Sequence, residues 1–493
     1  MLPEPEREKN QETLLFASGI PYKNGLRARH ESYTLIANGS GGLPVHSGHP
    51  WTTSLTPIDS ARMNAKASKT KRTTLIVVST IALTLIAVVA VLNFTSGEKK
   101  IEHRIPRLYS TEDTQFLRTM GLLLGPAILD GNRFQSLLNG DQIFPAMLGA
   151  IRSARRTITF ETYIYWSGGI GKEFADALAE RARAGVKVHV LLDWVGSEKM
   201  EEAYLEEMQQ AGVEIRRYHK PHWYNLTKLN NRTHRKLLIV DGKVGFTGGV
   251  GIADEWTGSG QDENHWRDTH FRAEGPVVGE MQAVFVDNWI ETTGTVLHGD
   301  SYFPEPTPIG RSKGQMFMSS PTGGAESMHL MYLMALTGAS RSIQLSMAYF
   351  VPDDLAVRTL VAALKRGVKI QIIMPGPKGD AAIVRRASRA RWGDLLTAGA
   401  ELYEYQPTMY HCKVLIVDGY LVSVGSTNFD NRSFSLNDEA NLNIYDAAFA
   451  REQIEIFEKD LKHSHRFTLD EWKNRPLSEK IWEQTISLIG SQL

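Results

Sequence analysis

THRKLLIVDGKVGFTGG (Thr233–Gly249) and YHCKVLIVDGYLVSVGS (Tyr410–Ser426) are two copies of one pattern. Each runs His-x-Lys, a short apolar run, Asp-Gly and a second apolar run. Side chains two apart on an extended chain share a face, so His234 and Lys236 point the same way, as do His411 and Lys413. An apolar run that stops at Asp-Gly and resumes predicts a tight β-hairpin. Asp241 and Asp418 fall in its turn, where Asp-Gly is favoured on conformational grounds alone. They therefore stand as turn residues or as catalytic ones. A lone His-x-Lys is weak evidence, but its recurrence at equivalent points of two copies marks both pairs as functional.

Working outward, the copies end two longer repeats. AIRSARRTITFETYIYW (Ala150–Trp166) leads to RARAGVKVHVLLD (Arg181–Asp193), and ALTGASRSIQLSMAYFV (Ala335–Val351) leads to ALKRGVKIQIIMP (Ala363–Pro375). Helix end, apolar strand, helix, Gly-Val-Lys turn and apolar strand make a βαβ-like unit written twice, an α/β fold. The repeats span 130–300 and 315–470, with the Pro- and Gly-rich segment 301–314 (SYFPEPTPIGRSKG) as linker. Beyond Pro476, the spacing of Leu477, Ile481, Trp482, Ile486 and Ile489 predicts an amphipathic helix within 471–493, packed on the core.

One N-terminal stretch differs from the rest. Leu75–Phe94 is twenty residues without a charge, the length a helix needs to cross the hydrocarbon core, and predicts a transmembrane helix over 73–95. A signal peptide fits poorly, because about seventy polar residues precede the run and no small-residue cleavage site follows. Five basic residues before the span (Arg62, Lys66, Lys69, Lys71, Arg72) against four after it (Lys99, Lys100, Arg104, Arg107) leave its orientation open. Residues 1–72 lack a sustained apolar period and read as a flexible polar tail, and 96–129 as a juxtamembrane segment. With 55 basic and 55 acidic residues the net charge is zero, so nucleic acid is not the expected partner. A single cysteine, Cys412, excludes an internal disulfide.

After each hairpin comes a small-residue turn, Gly248-Gly249 and Gly425-Ser426-Thr427-Asn428, where backbone N–H groups can meet a phosphate. Further on lie Asp268, in HWRDTHFRAEG, and Glu439, in LNDEANLNIYD. They are candidates to hold the remote nitrogens of the histidines and so fix tautomer and orientation. Two imidazoles, two ammonium groups, turn amides and two carboxylates suit phosphoryl transfer without a cofactor. One imidazole attacks phosphorus, the other protonates the departing alkoxide, and the lysines with Asn428 offset charge on the non-bridging oxygens. No run has the spacing of a metal site, so no metal is expected.

The paired H-x-K-x-x-x-x-D motifs, each followed by Gly-Gly or Gly-Ser, resemble the phospholipase D superfamily over residues 130–470. Within it, GSTNFDNRSFSLNDEANLN (Gly425–Asn443), GFTGGVGIADEW (Gly245–Trp256) and HWRDTHFRAEGP (His265–Pro276) are similar to bacterial cardiolipin synthases. The resemblance implies two α/β/α sandwiches related by pseudo-twofold symmetry, facing each other across one active site. It implies His234 as nucleophile, His411 as general acid and base, Lys236 and Lys413 on the phosphate, and Asp268 and Glu439 behind the histidines. It also implies joining two phosphatidylglycerol molecules into cardiolipin with release of glycerol, on a bacterial inner membrane. Two features depart from the family: Gly251 stands where an Asn is frequent, and there is one apolar span where many relatives have two. A hydrolase or nuclease on the same scaffold and an inactive binding module are the competing readings. The anchor and neutral charge speak for lipid, and both intact His-Lys pairs speak against inactivity.

Overall fold

The computed structural model describes residues 57–94, 101–220, 230–321, 327–380 and 382–487. The expected tail lies outside these residues up to 56, and 488–493, the end of the predicted C-terminal helix, lies outside them too. Residues 57–72 are not tail: they open the helix Pro57–Phe94. Pro57 suits a first helical position, and the Ala, Met, Lys and Arg that follow are strong helix formers. Within this helix Lys69–Val89, 21 residues, is long and apolar enough to cross a membrane, and none of it is buried. The chain divides at Ile76–Val77 into two units, and the site belongs to the second, Val77–Leu493.

The first half of that unit contributes β1 (Leu129–Leu138), β2 (Thr157–Thr162), β3 (Lys187–Asp193), β4 (Glu214–Tyr218), β5 (Arg232–Thr233), β6 (Leu237–Val240), β7 (Val244–Gly248) and β8 (Thr269–Glu274). The second contributes β9 (Ser312–Ser319), β10 (Ser342–Met347), β11 (Phe350–Val351), β12 (Lys369–Pro375), β13 (Glu401–Tyr405), β14 (Lys413–Val417), β15 (Leu421–Gly425), β16 (Phe429–Asp430), β17 (Asn437–Tyr445) and β18 (Ser464–Phe467). Sixteen strands form one sheet, ordered β18-β13-β12-β10-β14-β15-β17-β9-β1-β8-β7-β6-β2-β3-β4, with β5 on β17. Outward from the β9–β1 seam the order is β17, β15, β14, β10, β12, β13 one way and β8, β7, β6, β2, β3, β4 the other. That is the expected pseudo-twofold, but the halves join edge to edge in a shared sheet. The seam strand β9 begins at Ser312, inside the stretch read as linker, because β1 offers its edge to Ser312 and Gly314.

Apolar layers lie on both faces. Every residue of β6 and β14 is buried, as a continuous apolar run in a two-sided sheet requires. One core draws on both halves, joining Leu237, Ile239, Phe271 and Trp289 to Val414, Ile416, Val422 and Leu442. At roughly 1.5–3 kcal/mol for each large apolar side chain buried, it makes the halves one folding unit. The juxtamembrane segment joins this fold, since the helix Thr114–Leu124 buries Phe116, Met120 and Leu124 against the second half. At the other end, helices Leu469–Asn474 and Leu477–Ser487 replace the single helix expected, because Pro476 follows the break at Arg475. Leu477–Ser487 lies against Ala382–Ala390, but Leu477, Ile481 and Trp482 are exposed, so the apolar stripe expected to pack on the core faces away from it.

Candidate active site

Both Asp-Gly pairs form left-handed turns, with φ of 53° and 64° at Asp241 and Gly242 and of 56° and 64° at Asp418 and Gly419. These turns place His234 and His411 at the far ends of β6 and β14. The Asp241 carboxylate accepts the backbone N–H groups of Arg155, Arg156 and Thr157 where β2 begins. Asp418 does the same for Ser340, Arg341 and Ser342 where β10 begins, and accepts the Thr111 hydroxyl as well. The structure therefore does not bring the two aspartates to the histidines. It separates them by a strand's length and spends their lone pairs on chain entry, so a direct catalytic part for them is withdrawn.

What meets the histidines comes from the opposite half. The backbone N–H of His234 donates to the carbonyl of Asp438 at 2.9 Å, and that of His411 to the carbonyl of Arg267 at 2.8 Å. Each bond brings the next residue of the facing strand behind the ring. His234 Nδ1 lies 3.0 and 3.1 Å from the two carboxylate oxygens of Glu439, and His411 Nδ1 lies 2.8 Å from Asp268 Oδ2. Glu439 and Asp268 are equivalent by register, two residues before Asn441 and His270, which pair with Gly425 and Gly248. The pairing is crossed: each half supplies one histidine and the carboxylate for the other. A carboxylate on Nδ1 fixes the proton there and leaves Nε2 for chemistry.

Around the carboxylates the halves differ. Ser426 Oγ donates to Glu439 Oε2 at 2.5 Å, whereas Asp268 accepts Trp256 Nε1 at 3.0 Å and the N–H of Thr269 at 2.7 Å. Gly249 stands where Ser426 stands, because a Cβ there would meet Asp268 Oδ1 at 2.4 Å. The turn amides expected to face a phosphate are taken by the sheet, Gly249 N–H by the Thr269 carbonyl at 3.4 Å and Ser426 N–H by the Ala440 carbonyl at 3.0 Å. These two residues thus support carboxylates. Asn428 does line the cavity, and among the described residues its buried Oδ1 has no partner.

Lys236 Nζ donates to the carbonyl of His234 at 2.8 Å, and Lys413 Nζ to that of His411 at 2.9 Å. Lys413 Nζ also lies 3.3 and 3.2 Å from the two ring nitrogens of His411. Burial, reinforced by Lys413, lowers Lys236 to about 7. Burial lowers His234 to about 4 against the pull of Glu439, and burial with Lys413 lowers His411. Burial would raise Glu439, yet His234, Lys236 and Ser426 outweigh it and hold the carboxyl at about 2. Desolvation therefore favours the neutral form of His234 and makes the ammonium of Lys236 costly, a cost that a nearby anion would relieve.

Both histidines and Lys236 open on one cavity of about 440 Å³. Its aromatic walls sit against the rings: Tyr163 is 5.2 Å from His234, and Trp256 and Trp266 are 5.2 and 5.5 Å from His411. Sequence reading missed these aromatics and the cavity residues Arg232 and Arg432. Trp266 was within reach of strand alternation, two residues before Asp268; the others had no local signal. Among the described residues no group of three or more His, Cys, Asp or Glu side chains is placed to hold a metal ion.

The family described as cardiolipin synthase, PLD-like domain, matches residues 147–289 and 332–461. Cardiolipin synthase 2 of Bacillus anthracis is 34% identical over 400 residues, covering 80% of this chain and 77% of that protein. The major cardiolipin synthase ClsA of Bacillus subtilis is 35% identical over 386 residues, covering 77% and 80%. Among solved structures, a phosphatidylserine synthase from Haemophilus influenzae superposes with a TM-score of 0.56 at 12% identity, over 77% of this chain and all of that one, a likeness of fold.

Proposed function

The chain belongs to the cardiolipin synthase family of phospholipase D-like proteins, and from that premise we propose that it joins two phosphatidylglycerol molecules into cardiolipin and glycerol. The observation that supports this reading best is the crossed pairing, which turns the Nε2 atoms of His234 and His411 to one cavity.

His234, held neutral by burial, attacks the donor phosphorus through Nε2 while Glu439 stabilises the positive charge that grows on the ring. His411, protonated as the anion enters, gives its proton to the glycerol oxygen as the P–O bond breaks. Lys236, Lys413 and Asn428 offset charge on the non-bridging oxygens. Glycerol departs and leaves a phosphatidyl group on His234. The free hydroxyl of a second phosphatidylglycerol then loses its proton to His411 and attacks the same phosphorus, which frees His234. Glu439 and Asp268 are positioning residues in this scheme. The apolar span Lys69–Val89 serves as a single-pass anchor in a bacterial inner membrane, which delivers the protein to a lipid substrate.

Membranes holding the protein are incubated with phosphatidylglycerol labelled in its acyl chains and in its glycerol headgroup. Cardiolipin with release of labelled glycerol is the expected result. Phosphatidic acid alone would replace the transferase with a hydrolase, and no product would overturn the substrate. His234→Ala and His411→Ala each abolish turnover if the scheme holds.

A further inference from the structure

Besides His234, Lys236 and His411, the cavity carries a pair of guanidinium groups. Arg232 and Arg432 both line it and come from different halves. Arg232 sits on β5 opposite Asn437 of β17. Arg432 lies in the short helix Asn431–Ser435, and its guanidinium donates to Asn230 Oδ1 at 3.1 Å and to the Asn230 carbonyl at 3.0 Å. It is thereby held against the chain two residues before Arg232, and burial together with Arg232 lowers its pKa. Asp193 and Asp430 lie within electrostatic reach of Arg232 and Arg432, and their oxygens also accept backbone N–H groups, Asp193 from Val195, Gly196 and Thr233 and Asp430 from Ser433.

Two guanidiniums gathered beside one another suit an anion with forked oxygens. The donor phosphate has its own cations in Lys236 and Lys413. The acceptor brings a second phosphodiester, separated from its attacking hydroxyl by the three carbons of glycerol. Arg232 precedes His234 by two residues of extended chain, about 6.6 Å, a step that a glycerol bridge between two phosphates can span.

We propose that Arg232 and Arg432 form a second phosphodiester subsite that holds the acceptor phospholipid and so directs the covalent intermediate to a lipid hydroxyl instead of water. This rests on the functional reading above. The test compares wild type with Arg432→Gln, Arg232→Gln and the matching Lys variants in phosphatidylglycerol micelles, with two readouts. One is cardiolipin formation against phosphatidylglycerol concentration. The other is exchange of labelled free glycerol into phosphatidylglycerol, which needs the donor phosphate only.

The Gln variants are expected to lose cardiolipin formation by roughly 10- to 100-fold, with a raised half-saturating acceptor concentration, while glycerol exchange persists. The Lys variants recover part of the loss. The subsite is overturned if exchange and cardiolipin formation fall together in the Gln and Lys variants alike, or if neither falls. A wild-type protein that exchanges glycerol but makes no cardiolipin overturns the functional reading itself.

Discussion

Glu439→Gln removes one negative charge from behind His234 while keeping the shape of the side chain. The carboxylate is fully buried and lies 3.0 and 3.1 Å from Nδ1. Nucleophilic attack makes the imidazole positive, so the attraction lost is felt mainly in the transition state. For charge centres about 4 Å apart at an effective dielectric near 20 it amounts to about 4 kcal/mol, or about three powers of ten in rate. The amide can still accept the Nδ1 proton through its oxygen, and it keeps Ser426 as a partner, so the tautomer and the fold persist. Single-turnover quench experiments with labelled phosphatidylglycerol should show covalent phosphohistidine forming about 1000-fold more slowly, with KM little changed. Asp268→Asn provides the contrast. With an aryl phosphodiester, whose leaving group needs no acid, it should still form the adduct, whereas Glu439→Gln should not. Adduct formation within tenfold of wild type in Glu439→Gln, or a loss confined to KM, would refute the crossed-pair reasoning.

Gly249→Ala puts a methyl group 2.4 Å from Asp268 Oδ1, so the carboxylate must shift from His411; turnover should fall on the order of 100-fold, and a crystal structure of the variant should show Asp268 displaced. Asp418→Ala strands three backbone N–H groups at the start of β10 and should cost at least about 3 kcal/mol in urea unfolding. The folded fraction should keep its kcat, and a loss of kcat at unchanged stability would contradict the turn assignment. The pH dependence of kcat/KM should be a bell. Attack needs neutral His234, so the rate falls as pH drops through about 4; protonation of the leaving group needs the His411 proton, whose hold burial and Lys413 weaken, and phosphate binding needs protonated Lys236, which is lost as pH rises through about 7, so the alkaline limb belongs to both. Lys236→Arg should leave an alkaline limb set by His411 alone, and a flat profile would remove these groups from the rate.

The sheet order accounts for how two weak local motifs become one site. Because β1 and β9 pair at the seam, the strand pairs β7–β8 and β15–β17 lie on either side of it, and the segments leading into β6 and β14 reach across. His234 thereby bonds the chain at Asp438, and His411 the chain at Arg267. A buried pair, Arg267 with Asp460 at 2.9 Å, joins the halves beside His411. Neither half contains a complete histidine–carboxylate pair, so the site exists only when both halves have folded together.

Read alone, the chain determined the two His-x-Lys pairs, the hairpins, the doubled βαβ unit and the apolar span, because all are set by neighbours in sequence. Strand alternation puts His and Lys on one face, Asp-Gly accepts positive φ, and an uncharged, largely apolar run of twenty residues has the length of a bilayer span whatever surrounds it. What needed the tertiary structure is every contact made across the seam. Glu439 is 205 residues from His234, and Asp268 is 143 from His411. Their pairing depends on strand order and register, which local periodicity does not encode. The same holds for Asp241 and Asp418, which sit within the motif but serve the start of another strand. It holds as well for Arg232 and Arg432, 200 positions apart and brought to one cavity by β5 pairing with β17.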